Sequence, residues 1–260
     1  SLDASLQIKA SPVPGKINIA VVRVPHVSNF TDIDALNMEP EVNIVWLASP
    51  RQLSDFQAVI IPGSKSVIHD TAALHEAGWT EALKIYVQKD DGLVVGLCGG
   101  YQMLGRSISD PLAIEGPETK IAGLGLLDIT TRVETVKQVT LSKGDDRIFN
   151  ARVNGYEIHM GQSIRGKTVE PFLSLNGQAE GATTSDKRVW GTYLHGLFDS
   201  GEFRQQFLAR LAELNDISFD TGIDRKDYWQ VKDKNYDLLA EHFETYTRVD
   251  RILALMGQSS

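Results

Sequence analysis

The sequence predicts an α/β domain built on a mostly parallel sheet that is flanked by helices. Short β-branched runs alternate with amphipathic stretches at the spacing of βαβ units. Most of these runs are continuously apolar, which is typical of strands buried on both faces of a sheet. A length of 260 residues, 42% apolar and 23% charged, allows one large domain or two small ones with a substantial core.

The elements of the first half follow in order. The strand candidates are residues 17–24, 42–47, 57–61 and 93–97. Between the last two, after Gly78, a helix is predicted by apolar residues on one face, namely Trp79, Leu83, Tyr86 and Val87.

Beyond residue 120 the candidate strands are shorter, at residues 129–133, 138–141, 151–153, 156–159 and finally 189–194. Turn-forming clusters at 143–146 and 154–155 interrupt the pattern, and such clusters favour hairpins. We therefore expect an antiparallel extension of the sheet in this region.

The chain divides into three predicted parts. Residues 1–16 are polar and contain two prolines, as in a linker or tail, and residues 17–215 form the main domain. Residues 216–260 are predicted to be a C-terminal helical extension packed on the same domain. Two apolar helix faces are expected to pack on the core, one with Phe203, Phe207, Leu208 and Leu211, the other with Leu239, Phe243, Tyr246, Val249, Leu253 and Met256.

Composition restricts the partners. A net charge of −8 argues against nucleic acid or an anionic membrane as the main partner. No apolar run approaches the roughly 18 residues of a membrane span, and the first residues lack the pattern of a secretory signal. The single cysteine excludes an internal disulfide and suits a reducing, cytoplasmic compartment.

The strongest chemical signal is Cys98, which follows an apolar strand and is flanked by Gly96, Gly99 and Gly100. This is the cysteine form of a nucleophile elbow, in which a sharp strand-to-helix turn lifts the nucleophile above the sheet. The glycines permit a backbone path that side chains would obstruct. A buried, inert cysteine is the alternative, which the glycines disfavour.

A nucleophilic cysteine at this position needs a basic partner. A thiol of pKa about 8.5 requires about 2 kcal/mol to reach half ionisation at pH 7, whereas a helix terminus supplies about 0.3–1 kcal/mol. Among six histidines, His195 is the preferred candidate because it follows a strand whose carboxyl end should lie beside Cys98. His159, also at a strand end, is the alternative.

An oxyanion hole is predicted around the nucleophile. Gly99 would supply the backbone N–H after the cysteine, and Gly63 and Ser64, in a loop at the same sheet edge, would supply another. An ordinary turn is the alternative for that loop. The phosphate-loop signature of nucleotide-binding enzymes is absent from the sequence.

The segment from Gly96 to Gln102 resembles the motif of class I glutamine amidotransferases, which have a flavodoxin-like fold. The resemblance implies that Cys98 is the nucleophile, that Gln102 contacts the substrate glutamine, and that His195 is the catalytic histidine. Most members have a glutamate two residues after this histidine, where this chain has Leu197. The third member of a triad therefore stays open.

Four segments, residues 28–32, 61–65, 155–161 and 193–198, are similar to the C-terminal domain of the cobyric acid synthase family. The third contains Glu157 and His159, which we expect to face the substrate; Glu157 could alternatively orient His195. No metal ligand is predicted.

The resemblance implies a glutaminase that forms a thioester at Cys98 and supplies ammonia to amidate side-chain carboxylates of a corrinoid. ATP and magnesium would bind only to an N-terminal synthetase domain that this chain lacks. The alternatives are the glutaminase of cobyrinate a,c-diamide synthase or of a cell-wall isoglutaminyl synthase, or an inactive binding module.

Overall fold

The computed structural model describes residues 11–89, 92–248 and 251. In chain order its strands are β1 (Ile17–Val22), β2 (Val27–Ser28), β3 (Val42–Leu47), β4 (Ala58–Ile61), β5 (Gly63–Ser64), β6 (Leu93–Leu97), β7 (Ser107–Ser109), β8 (Lys120–Ala122), β9 (Ile129–Asp146), β10 (Arg152–Arg165), β11 (Val169–Glu170), β12 (Leu173–Leu175), β13 (Gln178–Glu180), β14 (Ala182–Thr184), β15 (Val189–Thr192) and β16 (Leu194–His195). Its helices are α1 (Asp34–Asn37), α2 (Val67–Glu76), α3 (Trp79–Lys89), α4 (Gly99–Met103), α5 (Gly201–Leu214) and α6 (Tyr228–Tyr246).

The first sheet has the strand order β11-β14-β15-β6-β4-β1-β3. Five neighbouring strands, from β15 to β3, run parallel, and β14 and β11 add an antiparallel edge. The parallel strands are the continuous apolar runs of the sequence, and β1, β4 and β6 are buried along their whole length. The predicted α/β fold is confirmed.

Helices cover both faces of this sheet. On one face the predicted helical stripe is confirmed, because Trp79, Leu83 and Tyr86 are at most 1% exposed against the sheet. On the other face α5 contributes Phe203 and Phe207 to a cluster with side chains of the opposite strand face. The sheet is thereby buried on both sides, and its carboxyl edge is left for the site.

The antiparallel region differs from the prediction. The four expected short strands are two long ones, β9 and β10, in a second sheet of order β13-β12-β9-β10-β16. The glycines taken as turn signals lie inside this ladder. A Cβ at Gly144 would lie 1.8 Å from the Ser174 carbonyl oxygen, and one at Gly155 would lie 2.0 Å from that of His195. These glycines therefore permit close approach of neighbouring strands.

The two apolar faces of the C-terminal region have different outcomes. The first is confirmed, because the four residues of its stripe are fully buried in α5. The second prediction is wrong for α6: Leu239, Phe243 and Tyr246 are 50%, 51% and 76% exposed. The remaining residues of that stripe, Val249, Leu253 and Met256, lie outside the described residues. Among the helices that are described, none combines the length and apolar character needed to cross a membrane.

An ion cluster holds the segment before α6 against the domain. Glu39 accepts from the Nε atoms of Arg204 and Arg225 at 2.6 and 2.8 Å, and Arg225 also binds Glu41 at 3.0 Å. Both guanidinium groups are nearly buried, so their charges depend on these carboxylates. The cluster fixes the position at which α6 leaves the domain.

Candidate active site

Cys98 lies between β6 and α4 in a backbone conformation that is rare for a side-chain-bearing residue, with φ 50° and ψ −108°. The predicted sharp turn is present, and the packing explains its glycines. A Cβ at Gly100 would lie 2.0 Å from the Ile61 carbonyl oxygen, and one at Gly96 would lie 2.7 Å from the backbone of Tyr101. The short helix that follows Cys98 can therefore sit directly on the ends of β4 and β6.

His195 reaches the same sheet edge by a change of sheet. The chain leaves β15, whose last residue pairs with Leu97 at the end of β6, and enters β16 in the second sheet. There the imidazole is completely buried and stacks on the ring of Tyr156 at a centroid distance of 5.2 Å. The topology thus brings the preferred histidine to the edge of the sheet at which Cys98 lies.

Asp32 binds His195 from the other side. One oxygen of its carboxylate lies 2.7 Å from Nδ1 of His195, and the other accepts the backbone N–H of Gly196 at 3.0 Å. Asn29 contacts Nε2 of the same ring at 3.0 Å through its amide nitrogen. Asn29 has φ 50°, a conformation that asparagine tolerates better than most residues, and the following turn directs Asp32 at the ring.

These contacts set the charge of His195. Burial lowers the pKa of the imidazole, but hydrogen bonds to Asp32 and Cys98, together with their charges, outweigh burial and raise it to about 10. The protonated imidazole is therefore the favoured form at neutral pH. An imidazolium beside a sulfur stabilises the thiolate, which is the nucleophilic form of cysteine.

Asp32 and Asn29 are the functional candidates that sequence reasoning missed. Leu197, at the position of the usual glutamate, is a core residue with 2% exposure. The suggestion that Glu157 orients His195 is wrong, because Asp32 occupies Nδ1 and the Glu157 carboxylate accepts from Ser142 Oγ at 2.6 Å. The available signal was the segment 28–32, which carried part of the resemblance.

The predicted oxyanion residues also meet at Cys98. A Cβ at Gly99 would lie 2.7 Å from the backbone nitrogen of Ser64, and one at Gly63 would lie 3.8 Å from Cβ of Cys98. The Ser64 hydroxyl donates to Asp70 at 2.6 Å and accepts the N–H of Ser66 at 2.9 Å. The loop is therefore held by its own hydrogen bonds next to the first turn of α4.

A cavity of about 310 Å³ opens at Cys98, within the usual range for small-molecule sites of ~300–1,000 Å³. Its wall includes Gln102 and His159, an exposed cation, Lys65, and a partly buried carboxylate, Glu115. Glu157 is not part of the wall. A larger cavity of about 580 Å³ lies between α5 and the segment before α6, away from Cys98 and His195.

Gln102 and His159 are joined through one tyrosine. The Gln102 amide donates to the hydroxyl of Tyr193 at 3.1 Å, and His159 stacks on that ring at 3.8 Å. Nδ1 of His159 binds the Gly161 carbonyl oxygen at 2.7 Å, whereas its buried Nε2 lies 3.8 Å from Glu157, beyond hydrogen-bonding distance. Both wall residues are thus held in fixed orientations.

Three potential metal ligands meet outside this cavity. Within the described ranges, His26, His69 and Asp70 are the group of at least three such side chains whose ligand atoms all lie within 4.8 Å of one another. Asp70 is the residue that accepts the Ser64 hydroxyl.

Comparison with known proteins identifies the domain type. Residues 18–203 match the family model described as a CobB/CobQ-like glutamine amidotransferase domain. The chain is 39% identical to a cobyric acid synthase of Chlorobium phaeobacteroides (strain BS1), over 99% of this chain and 52% of that protein. It is 40% identical to a cobyric acid synthase of Clostridium novyi (strain NT), over 94% and 49%. The chain therefore spans about half the length of these relatives.

Solved structures support the fold. PurLQS from Thermotoga maritima matches with a TM-score of 0.58 at 15% identity, over 75% of this chain and 99% of that one. A structure described as a glutamine amidotransferase matches with a TM-score of 0.53 at 15% identity, over 75% and 98%. At such identities the likeness concerns the fold alone.

Proposed function

Because this chain belongs to the CobB/CobQ-like glutamine amidotransferase family, we propose that Cys98 and His195 hydrolyse the side-chain amide of glutamine. The observation that carries this proposal is the alignment of Asp32, His195 and Cys98. It combines a strained nucleophile with an imidazole whose pKa is raised to about 10. A protonated imidazole beside a cysteine is the arrangement that acyl transfer through sulfur requires.

In the first half-reaction the Cys98 thiolate attacks the amide carbon and forms a C–S bond. The negative charge moves to the carbonyl oxygen, where the backbone N–H of Gly99 and the loop of Gly63 and Ser64 stabilise it. The intermediate then collapses with cleavage of the C–N bond. His195 protonates the departing nitrogen, which leaves as ammonia, and a γ-glutamyl thioester remains.

In the second half-reaction the neutral His195 takes a proton from water as the water oxygen attacks the thioester. Collapse of that intermediate breaks the C–S bond, releases glutamate and restores the thiolate beside the imidazolium. In both steps Asp32 holds the ring in position through its contact with Nδ1 of His195. No metal or cofactor takes part in these two steps.

The cavity suits a zwitterionic amino acid. Lys65 and Glu115 supply one charge of each sign near the α-carboxylate and α-ammonium groups, while Gln102 and His159 face the substrate chain. Glu157 contributes indirectly, through its position beside His159.

The ammonia would be used by a larger enzyme. The similarity to cobyric acid synthases supports transfer to an N-terminal synthetase part that uses ATP and magnesium to amidate carboxylates of a corrinoid. We expect such an enzyme to act in the cytoplasm, where the single thiol would stay reduced. The acceptors of cobyrinate a,c-diamide synthase and of isoglutaminyl synthase remain the rivals, and assays of the full-length enzyme with each acceptor would separate them.

Replacing Cys98 tests the proposal. In the full-length enzyme, Cys98→Ala should abolish glutamine-dependent amidation, because no thioester can form, whereas amidation driven by added ammonium salts should continue. Amide product is measured with each nitrogen source. Loss of both activities in a folded variant would contradict the assignment.

A catalytically inactive binding module is the remaining alternative. The contact between Asp32 and His195 argues against an inactive module, because the imidazole has a carboxylate partner although Leu197 stands at the position of the usual glutamate. Covalent labelling of Cys98 by an electrophilic glutamine analogue, detected by mass spectrometry, should occur in the wild type. Failure of the analogue to label the folded protein would favour the inactive module.

A further inference from the structure

We propose that His26, His69 and Asp70 form a binding site for a divalent transition-metal ion such as Zn²⁺, and that the bound ion stiffens the loop of residues 62–65 beside Cys98. The site lies outside the glutamine cavity and uses none of the proposed catalytic groups. Metal binding there does not depend on the glutaminase proposal.

The types of the three side chains and the distances between their ligand atoms support the binding of a metal ion. Nδ1 of His26 and Nδ1 of His69 lie 2.8 and 3.6 Å from the same Asp70 oxygen. Ligand atoms in a tetrahedral zinc site lie about 3.3 Å apart, given bonds of about 2.0–2.1 Å. The observed distances lie on either side of that value. An ion can therefore enter if the His26–Asp70 hydrogen bond opens by about half an ångström and His69 moves slightly inward.

The carboxylate is prepared for this role. Asp70 is fully buried, and its second oxygen accepts the backbone N–H of His26 at 3.1 Å and the hydroxyl of Ser64 at 2.6 Å. Such outer hydrogen bonds fix the direction of a metal-binding carboxylate. The two imidazoles remain accessible, with side-chain exposures of 48% for His26 and 64% for His69. An ion can reach the site from solvent and leave a coordination position for water.

Nearby charge favours a cation. Glu115 lies close enough to Asp70 and Asp110 that, after burial, their charges contribute to raising its pKa. A divalent ion at Asp70 would relieve this repulsion among carboxylates. Lys65, the opposing charge in the adjoining loop, lines the glutamine cavity and is not one of the three potential ligands.

A hydrogen bond between Asp70 and the loop of residues 62–65 supports the proposed stiffening of that loop. Ser64 joins the Asp70 carboxylate to the backbone of Ser66 through one hydroxyl. An ion that fixes Asp70 would also fix this hydroxyl, and with it the backbone nitrogen of Ser64 that packs on Gly99. We therefore expect the ion to reduce local opening of residues 62–65.

Titration with Zn²⁺ and Co²⁺ tests the site, using the whole chain with Cys98→Ser so that the catalytic sulfur cannot bind metal. We expect saturable binding of one ion per chain, and we expect bound Co²⁺ to show visible ligand-field bands. His69→Ala removes a ligand and should weaken binding by more than the roughly 10–100-fold that loss of an outer hydrogen-bond partner costs, while His242→Ala, on the exposed helix α6, should leave it unchanged. Absence of saturable binding, or equal affinity in the His69→Ala protein, would overturn the site.

Hydrogen exchange tests the effect on the loop. Addition of Zn²⁺ should slow amide exchange within residues 62–66 of the Cys98→Ser protein and should not slow it in the form that also carries His69→Ala. The second form should keep its circular dichroism spectrum, since the side chain of His69 is 64% exposed. Binding without slower exchange would leave the site standing and refute the stiffening.

Discussion

At the candidate active site, the charge of one imidazole depends on a carboxylate 163 positions away in the sequence. Asp32 approaches His195 from the turn after β2, while Cys98 approaches from the end of β6. The carboxylate of Asp32 contacts His195 in place of the glutamate that most family members have at the position of Leu197. The consequence is an imidazole that stays protonated although it is completely buried.

Asp32→Asn should lower kcat for glutamine hydrolysis by about 10²–10⁴-fold, because the ring loses the charge that favours its protonated form and its orientation. Asp34→Asn is a matched control, since Asp34 lies two residues away and makes no hydrogen bond to His195 in the structure. Its kcat should stay within a few-fold of the wild type. Equal losses of kcat in the two variants would show that the negative charge of this region matters and that the contact between Asp32 and His195 does not.

The same pair predicts a pH dependence of stability. The pKa of His195 is raised from 6.5 to about 10 on folding, so its protonation stabilises the folded state. That contribution is complete below about pH 6.5 and is lost as the pH rises through about 10. Urea unfolding should therefore show a larger stability difference between wild type and Asp32→Asn at pH 6 than at pH 10. A difference that grows with pH would refute the raised pKa.

Sequence reasoning reached Cys98, His195 and Gln102 because each adjoins a strand end or a short local motif. It could not reach Asp32, because nothing local distinguishes an acid in a turn that packs on the surface from one that turns inward on a distant histidine. The resemblance marked the segment, but only the fold shows which atom it contacts.

At the scale of elements, α4 is limited by the strands beneath it. Gly100 is required by close contact with the end of β4 and Gly99 by close contact with β5, and neither has a positive φ angle. The helix is only five residues long, so its position depends on this contact more than on its own hydrogen bonds.

Gly100→Ala should destabilise the protein by about 1–3 kcal/mol or more, because the new Cβ would collide with a backbone carbonyl 2.0 Å away that cannot move independently of β4. Gly222→Ala, where the nearest atom is a flexible carboxylate oxygen at 3.2 Å, should change stability by about 0.5 kcal/mol or less. Chemical denaturation measures both. Similar stabilities for the two variants would mean that α4 can shift freely.

The elements predicted best are the parallel strands and α3, whose apolar periods are long and uninterrupted. The second sheet was predicted less well, because Gly144 and Gly155 carry the same signal whether they form a turn or admit a neighbouring strand. Which one applies depends on β12 and β16, which the local sequence does not reveal.

For the whole molecule, the core ends where α6 begins. The stripe in α5 is buried between the sheets, whereas the described part of the stripe in α6 faces outward. The ion cluster around Glu39 anchors the segment between them. Periodicity alone predicted the same packing for both helices, since it indicates an apolar face and not the partner that covers it.

Phe207→Ala should destabilise the chain by about 3–5 kcal/mol, because it removes a fully buried ring and leaves a cavity. Phe243→Ala removes the same atoms from a ring that is 51% exposed and should cost about 0.5 kcal/mol or less. Thermal or urea unfolding of both variants tests this contrast. A large loss for Phe243→Ala would mean that α6 packs on the domain in solution.

The chain passes from one sheet to the other just before His195, and this path has a consequence for the folding of the protein. Both sheets must form before the imidazolium of His195 lies beside Cys98. The thiol of a partly folded chain would therefore react slowly. The rate at which Cys98 reacts with a simple alkylating reagent should therefore serve as a built-in gauge of complete assembly. It would rise late in refolding, after the helical signal has already recovered.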